Sequence, residues 1–101
     1  MSIEKKSVKS KPVCKVKFSL KGDQYKSASS ILLVGSFNNW QIGETPFRKA
    51  KTGVWSVSMD LATGTEHQFR YLIDGNRWEN DPEADKFVPS GLGSENSVLV
   101  L

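Results

Sequence analysis

Hydrophobic and polar residues alternate along several short stretches of this chain. In the first stretch, Cys14, Val16, Phe18 and Leu20 alternate with two lysines and a serine. Because successive side chains of a strand point to opposite faces, this pattern predicts a half-buried β-strand. Further strands are predicted, from alternation or from short apolar runs, at residues 31–34, 46–51, 55–60, 68–73 and 98–101.

Turn signals separate these predicted strands. They include Thr52-Gly53, Thr63-Gly64 and Asp74-Gly75, and both residues of the last pair tolerate a positive φ. The polar segments 21–30, 35–43 and 80–94 are predicted to be turns or loops, and no segment shows helical periodicity over three turns. Short strands with frequent turns are typical of an antiparallel sandwich, so we predict an all-β fold.

The basic residues are concentrated at the start of the chain. Eight of the 14 basic residues precede residue 27, and the rest of the chain is net negative, with six basic and nine acidic residues. Residues 1–11 lack periodicity, so we expect a disordered, Lys-rich tail followed by one folded domain over residues 12–101. Such a tail usually serves solubility, although it can also contact a polyanion such as nucleic acid.

The chain shows neither a membrane-spanning segment nor a disulfide. Cys14 is the only cysteine, and the first 11 residues lack the apolar centre of a secretory signal. No apolar run approaches the roughly 20 residues that a membrane helix needs. We therefore expect a cytoplasmic protein with no membrane partner.

The residue types that carry catalysis are scarce. His67 is the only histidine, and Cys14 lies on the apolar face of a predicted strand, so no metal cluster can form from them. The acidic residues 79, 81, 83 and 85 include the pairs that glycoside hydrolysis needs, but a domain of this size offers no deep cleft. We predict no catalytic residue, metal or cofactor, and we expect Asp81 to lock a turn.

The three tryptophans fall into two groups. Trp55 alternates with Val57 and Met59, which predicts a place in the core. Trp40 and Trp78 lie in or beside loops, where they either leave an indole open to a partner or cap an end of the sandwich. An open indole suits a glucose ring, because one face of the sugar is apolar while its rim carries hydroxyl groups.

Five segments stand out in order along the chain: 33–40 (LVGSFNNW), 66–75 (EHQFRYLIDG), Trp78, Asp81-Pro82 and 92–97 (LGSENS). Together, and in this order, they resemble carbohydrate-binding module family 48. This family includes the glycogen-binding domain of the AMP-activated protein kinase β subunit and the N-terminal domains of isoamylases and glycogen branching enzymes. The resemblance spans residues 13–101 and implies an immunoglobulin-like antiparallel β-sandwich that binds α-1,4-linked glucan, such as glycogen or starch, without catalysis.

The resemblance also implies which residues bind carbohydrate. In the kinase-type domains two tryptophans stack on consecutive glucose units, a basic residue bonds the sugar, and a leucine reaches through the curved glucan. A small polar residue and an asparagine contact further hydroxyls. The matching positions here are Trp40, Arg70, Trp78, Leu92, Ser94 and Asn96.

The chain departs from the kinase domains at three positions. Arg70 replaces a lysine, Glu95 replaces an apolar residue, and the turn before Trp78 is one residue longer, which can displace or rotate this indole.

One alternative is a structural or docking module of a glycogen-metabolising enzyme, such as a family 13 glycoside hydrolase, that binds no sugar. Nucleic-acid binding is disfavoured, because the folded body is net negative.

Overall fold

The structure, a computed structural model, describes residues 3–7, 10–91 and 93–101. Over these residues the regular secondary structure is β-strand apart from one short helix and one 3₁₀ turn. No helix among them is long and apolar enough to cross a membrane. The elements are β1 (Ile3–Ser7), β2 (Val13–Leu20), α1 (Asp23–Lys26), β3 (Ile31–Gly35), the 3₁₀ turn (Ser36–Asn38), β4 (Arg48–Lys49), β5 (Trp55–Ala62), β6 (Glu66–Ile73), β7 (Arg77–Glu79), β8 (Lys86–Pro89) and β9 (Glu95–Val100).

The strands form two antiparallel sheets. Sheet A has the order β1-β2-β5-β4, and sheet B has the order β3-β6-β9-β8. The strand β6 pairs with β3 along one edge. Along its other edge, its first four residues pair with β9 and its last three pair with β7. The predicted all-β class and immunoglobulin-like antiparallel sandwich are confirmed.

The core lies between the two sheets and depends on the alternation in β6. Phe69, Tyr71 and Ile73 are fully buried against residues of sheet A. The ring of Phe69 meets the ring of Phe18 edge to face, with their centroids 5.3 Å apart, which is a favourable aromatic geometry. Cys14 is buried in the same cluster, as its place on the apolar face predicted.

Asp81 is a fully buried carboxylate that fixes the loop after β7. It accepts a hydrogen bond from the Tyr71 hydroxyl at 2.6 Å and another from the Glu83 backbone N–H at 2.8 Å. Its own N–H donates to the Ser97 hydroxyl at 3.0 Å. Burial, together with the Asp81 charge, raises the pKa of Tyr71, so this hydroxyl stays a donor. The expectation that Asp81 locks the turn is confirmed.

The first strand corrects the expected disordered tail. Residues 3–7 pair in register with β2, and Ile3 is only 6% exposed. Lys5 reaches across to Asp85 and closes an ion pair of 2.6 Å. Local alternation does not predict this strand, because most of its residues are polar or charged. One buried apolar side chain and pairing with the edge of β2 stabilise it instead. Residues 1, 2, 8 and 9 of the expected tail lie outside the described residues.

Three further segments differ from the predicted elements. The segment predicted as a loop over 80–94 contains β8, and α1 lies within the predicted turn 21–30. The candidate strand at 46–51 is a strand only at Arg48–Lys49, and Pro46 forms an isolated antiparallel bridge with Leu32. In β8 the pairing comes from β9, so a tertiary contact rather than local periodicity makes the strand.

We expect Trp55→Ala to lower the free energy of unfolding by about 3–5 kcal/mol, because a large buried side chain leaves a cavity. Trp55 is 6% exposed, and its indole N–H donates to the Tyr25 carbonyl at 2.9 Å. Trp78→Ala is the matched control, since Trp78 is 45% exposed and should cost roughly 1 kcal/mol. Urea unfolding measures both, and equal losses would show that Trp55 is not a core residue.

The attachment of β1 should depend on pH through Asp85. Partial burial favours the neutral acid, but hydrogen bonds from Lys5 and from the Val100 N–H outweigh it and lower the pKa of Asp85. The ion pair therefore contributes stability above the unfolded pKa of about 3.9, and this contribution is lost as the pH falls through the folded value.

Amide NMR signals of β1 report this attachment. In the parent they should remain dispersed at pH 5 and collapse toward unfolded shifts only below the unfolded pKa of about 3.9. In Asp85→Asn they should already be weakened at neutral pH, because the amide leaves Lys5 without its counterion. Dispersed β1 signals in both proteins down to about pH 2 would exclude a role for this ion pair.

Candidate functional site

The outer face of sheet B carries an open groove. Since alternate residues of β6 face away from the core, Gln68, Arg70 and Leu72 all lie on this face. The groove encloses about 600 Å³ and is lined by Trp40, Gln68, Arg70, Trp78, Ser90 and Asn96.

Trp78 reaches the groove from β7. It pairs in register with Leu72 of β6, so the two side chains share the outer face. The turn before it is anchored by Asp74, which has a φ of 54° and whose carboxylate accepts the backbone N–H groups of Ser29 and Ser30 at 2.6 and 3.1 Å. The longer turn therefore leaves Trp78 on the same groove as Trp40, with 45% of its surface exposed.

An unusual backbone conformation in its loop holds Trp40 at the groove. Asn39 and Trp40 have φ values of 57° and 58°, in the left-handed region that bulky side chains rarely occupy. The Trp40 N–H donates to the Gly35 carbonyl at 2.8 Å, which closes the loop behind the indole. Backbone strain of this kind persists only where surrounding contacts impose it. In this loop conformation the Trp40 side chain is 40% exposed.

The Asn38 side chain supplies those contacts. Its Oδ1 accepts the Gly35 N–H at 3.1 Å, while its Nδ2 donates to the Leu33 carbonyl at 3.0 Å and to Thr45 Oγ1 at 3.2 Å. The loop also packs tightly on β6, because a Cβ on Gly35 would lie 2.5 Å from the Gln68 carbonyl oxygen. Asn38 and Gly35 thus position Trp40 without lining the groove.

Arg70 organises the groove floor. Its Nε donates to Asn96 Oδ1 at 2.7 Å, and its Nη2 donates to Ser94 Oγ and to the Glu95 carbonyl at 2.6 and 2.7 Å. Asn96 in turn donates through Nδ2 to Gln68 Oε1 at 3.0 Å. This chain of hydrogen bonds fixes the direction of each donor. Because all of the acceptors are neutral, the groove floor keeps the positive charge of the guanidinium.

The structure brings together four of the predicted site residues on one groove, namely Trp40, Arg70, Trp78 and Asn96. Ser94 joins them through its bond to Arg70. Leu92 lies outside the described residues.

Two groove residues were missed in the sequence. Gln68 could have been found, because it lies two residues before Arg70 and therefore on the same face of β6. Ser90 lies between β8 and β9, and no sequence pattern identifies it; its backbone N–H donates to the Ser94 carbonyl at 2.8 Å.

His67 occupies a structural position away from this groove. Its Nε2 lies 2.9 Å from the Thr65 hydroxyl, and its ring lies beside the Phe37 ring, with the centroids 5.6 Å apart. Burial lowers the pKa of His67, which favours the neutral ring. Within residues 3–7, 10–91 and 93–101, no group of three or more acidic, histidine or cysteine side chains could hold a metal ion.

Two exposed indoles beside a floor of oriented hydrogen-bonding groups, on a small β-sandwich, define the class of carbohydrate-recognition modules. Residues 16–100 match the family described as the glycogen recognition site of AMP-activated protein kinase, and the chain belongs to this family. The family match covers all six predicted site residues.

Three relatives support this membership. The chain is 39% identical over 75 residues to Protein PTST homolog 2, chloroplastic, of Arabidopsis thaliana, covering 74% of this chain and 13% of the relative. It is 36% identical over 69 residues to 5'-AMP-activated protein kinase subunit beta-1 of Sus scrofa, covering 68% and 52%. It is 31% identical over 74 residues to Protein FLOURY ENDOSPERM 6, chloroplastic, of Oryza sativa subsp. japonica, covering 73% and 13%. The matches thus span from about an eighth to about half of each relative.

We expect Asn38→Asp to release the Trp40 loop. The carboxylate still accepts the Gly35 N–H but cannot donate to the Leu33 carbonyl, which should cost about 1–3 kcal/mol of unfolding free energy. The Trp40 indole NMR signal should broaden or shift as the loop loosens.

Asn39→Asp is the matched control for this change. It adds the same charge one residue away, and aspartate tolerates the left-handed backbone at this position. Its stability and Trp40 signal should resemble those of the parent. Equal effects from the two variants would mean that added charge, rather than the lost hydrogen bonds, moves the loop.

Proposed function

We propose that this chain binds α-1,4-linked glucan without catalysis, by stacking glucose units on Trp40 and Trp78. The observation that carries the proposal is the placement of both indoles, each exposed, on one groove with Arg70 and Asn96. Family membership supports the same ligand class, because the family is described as a glycogen recognition site.

The indoles should supply most of the binding energy. Covering roughly 100 Å² of apolar surface contributes about 2–3 kcal/mol per stacked ring. Each hydrogen bond at the sugar rim adds about 1 kcal/mol net, and ordering the glucan opposes both gains. A shallow, open site of this kind should therefore bind oligosaccharides with micromolar to millimolar dissociation constants.

The polar residues should set the orientation of the glucan. Arg70 and Asn96 present donors to sugar hydroxyls, and Ser94 holds the guanidinium through the bond at 2.6 Å. Arg70 takes the place of the lysine in kinase domains, and its extra donors allow it to hold Ser94 and Asn96 while it faces the groove. Leu92 remains part of the proposal as the side chain that reaches through the curved glucan.

The alternative remains a docking module on a glycogen-metabolising enzyme, with no sugar bound. The exposed indoles argue against it as the main role, but a partner enzyme is compatible with glucan binding. We propose a cytoplasmic location, because the single cysteine forms no internal disulfide, whereas two relatives are named chloroplastic.

We expect Trp40→Ala to weaken maltoheptaose binding about 30- to 150-fold, the loss of one stacked ring. Isothermal titration calorimetry measures the affinity, and urea unfolding checks that the variant stays folded. Parent-like affinity in a folded Trp40→Ala protein would remove Trp40 from the site.

Lys17→Ala is the control for this experiment, because Lys17 is exposed on the outer face of sheet A. It should bind like the parent. Parent binding should also change little between low and moderate salt, since a neutral sugar releases no counterions. A steep loss of affinity with salt would instead favour a polyanionic ligand.

A further inference from the structure

A second depression adjoins the groove on the outer face of sheet B. It encloses about 280 Å³ and is lined by Ser36, Glu66, Gln68, Lys86, Val88 and Val98. Gln68 lines both spaces and is therefore the boundary between them. We call this depression the β8 extension.

The strand register explains why the two spaces are continuous. Gln68 pairs with Val98 of β9, and Val98 pairs with Lys86 of β8, so these three residues form one row across the sheet. The neighbouring row contains Arg70 of β6 and the pair of Asn96 with Val88. Rows on one face are two residues apart, about 7 Å along the strand. A ligand on Arg70 and Asn96 thus lies one row from the extension.

The chemistry of the β8 extension suits a neutral hydroxylated ligand. Its two charged residues, Lys86 and Glu66, form an ion pair of 2.8 Å, so the rim carries no net charge. Val98 lies buried beneath and Val88 is half-buried, which gives an apolar floor. The Lys86 and Glu66 side chains are each about half exposed, so their remaining donors and acceptors face solvent.

Gln68 can link the two spaces through its amide. Its Oε1 accepts from Asn96 at 3.0 Å, which directs the Nε2 group away from this bond. Among the described residues no hydrogen-bond acceptor is assigned to that Nε2. A sugar hydroxyl at the boundary can therefore accept from it without displacing a protein contact.

We propose that the β8 extension binds additional glucose units of the same glucan chain, so that the module selects long chains over short ones. This inference rests on the proposed function of the groove. A short oligosaccharide occupies the space between the two indoles, whereas a longer one continues past Gln68 onto Val88, Val98 and the Lys86–Glu66 pair.

The test compares maltotriose and maltoheptaose by calorimetry in the parent and in the double variant Glu66→Ala/Lys86→Ala. The double variant keeps the net charge and removes polar groups only from the β8 extension. Maltotriose affinity should stay at the parent value, while maltoheptaose affinity should fall about 5- to 10-fold, the loss of about one hydrogen bond.

The matched control is Lys15→Ala/Asp60→Ala, which removes a directly opposed lysine and aspartate from the outer face of sheet A. It should leave both affinities at parent values. An unchanged maltoheptaose affinity in Glu66→Ala/Lys86→Ala overturns the extension while the groove proposal stands, and so does an equal loss for both sugars. Failure of the parent to bind either sugar overturns both proposals.

Discussion

The side-chain alternation of β6 is the constraint on which both the core and the groove depend. Its inward residues, Phe69 and Tyr71, are fully buried between the sheets, while Gln68 and Arg70 face outward into the groove. A shift of one residue in its pairing would exchange the two sets, burying the guanidinium and exposing the rings. The energy that fixes the core therefore also fixes the groove floor, so the site is built on a rigid strand.

The loops that complete the groove are fixed by polar contacts rather than by apolar packing alone. Asn38 closes the loop that carries Trp40, and Asp74 anchors the turn that precedes Trp78. Arg70 bonds to Ser94 and Asn96, so its position is set before a ligand arrives. Preorganisation of this kind lowers the entropic cost of binding, which matters for a shallow site with few contacts.

The sequence was most informative where local pattern and tertiary structure agree. The alternation in β2, β5 and β6 predicted their strands, and the period of two separated Trp55 from the other tryptophans. It could not predict β1 or β8, because their pairing comes from neighbouring strands and one ion pair. Groove membership of Trp40 and Trp78 required the resemblance, since loop position alone allowed either exposure or capping.

The central claim is that glucan covers two of the three indoles on one face while the third stays in the core. A maltoheptaose titration followed by the indole N–H signals of Trp40, Trp55 and Trp78 tests it most directly. We predict that the signals of Trp40 and Trp78 shift together along one saturation curve, and that the signal of Trp55, bonded to the Tyr25 carbonyl, stays in place. Movement of only one exposed indole, or of Trp55 alone, would contradict the account.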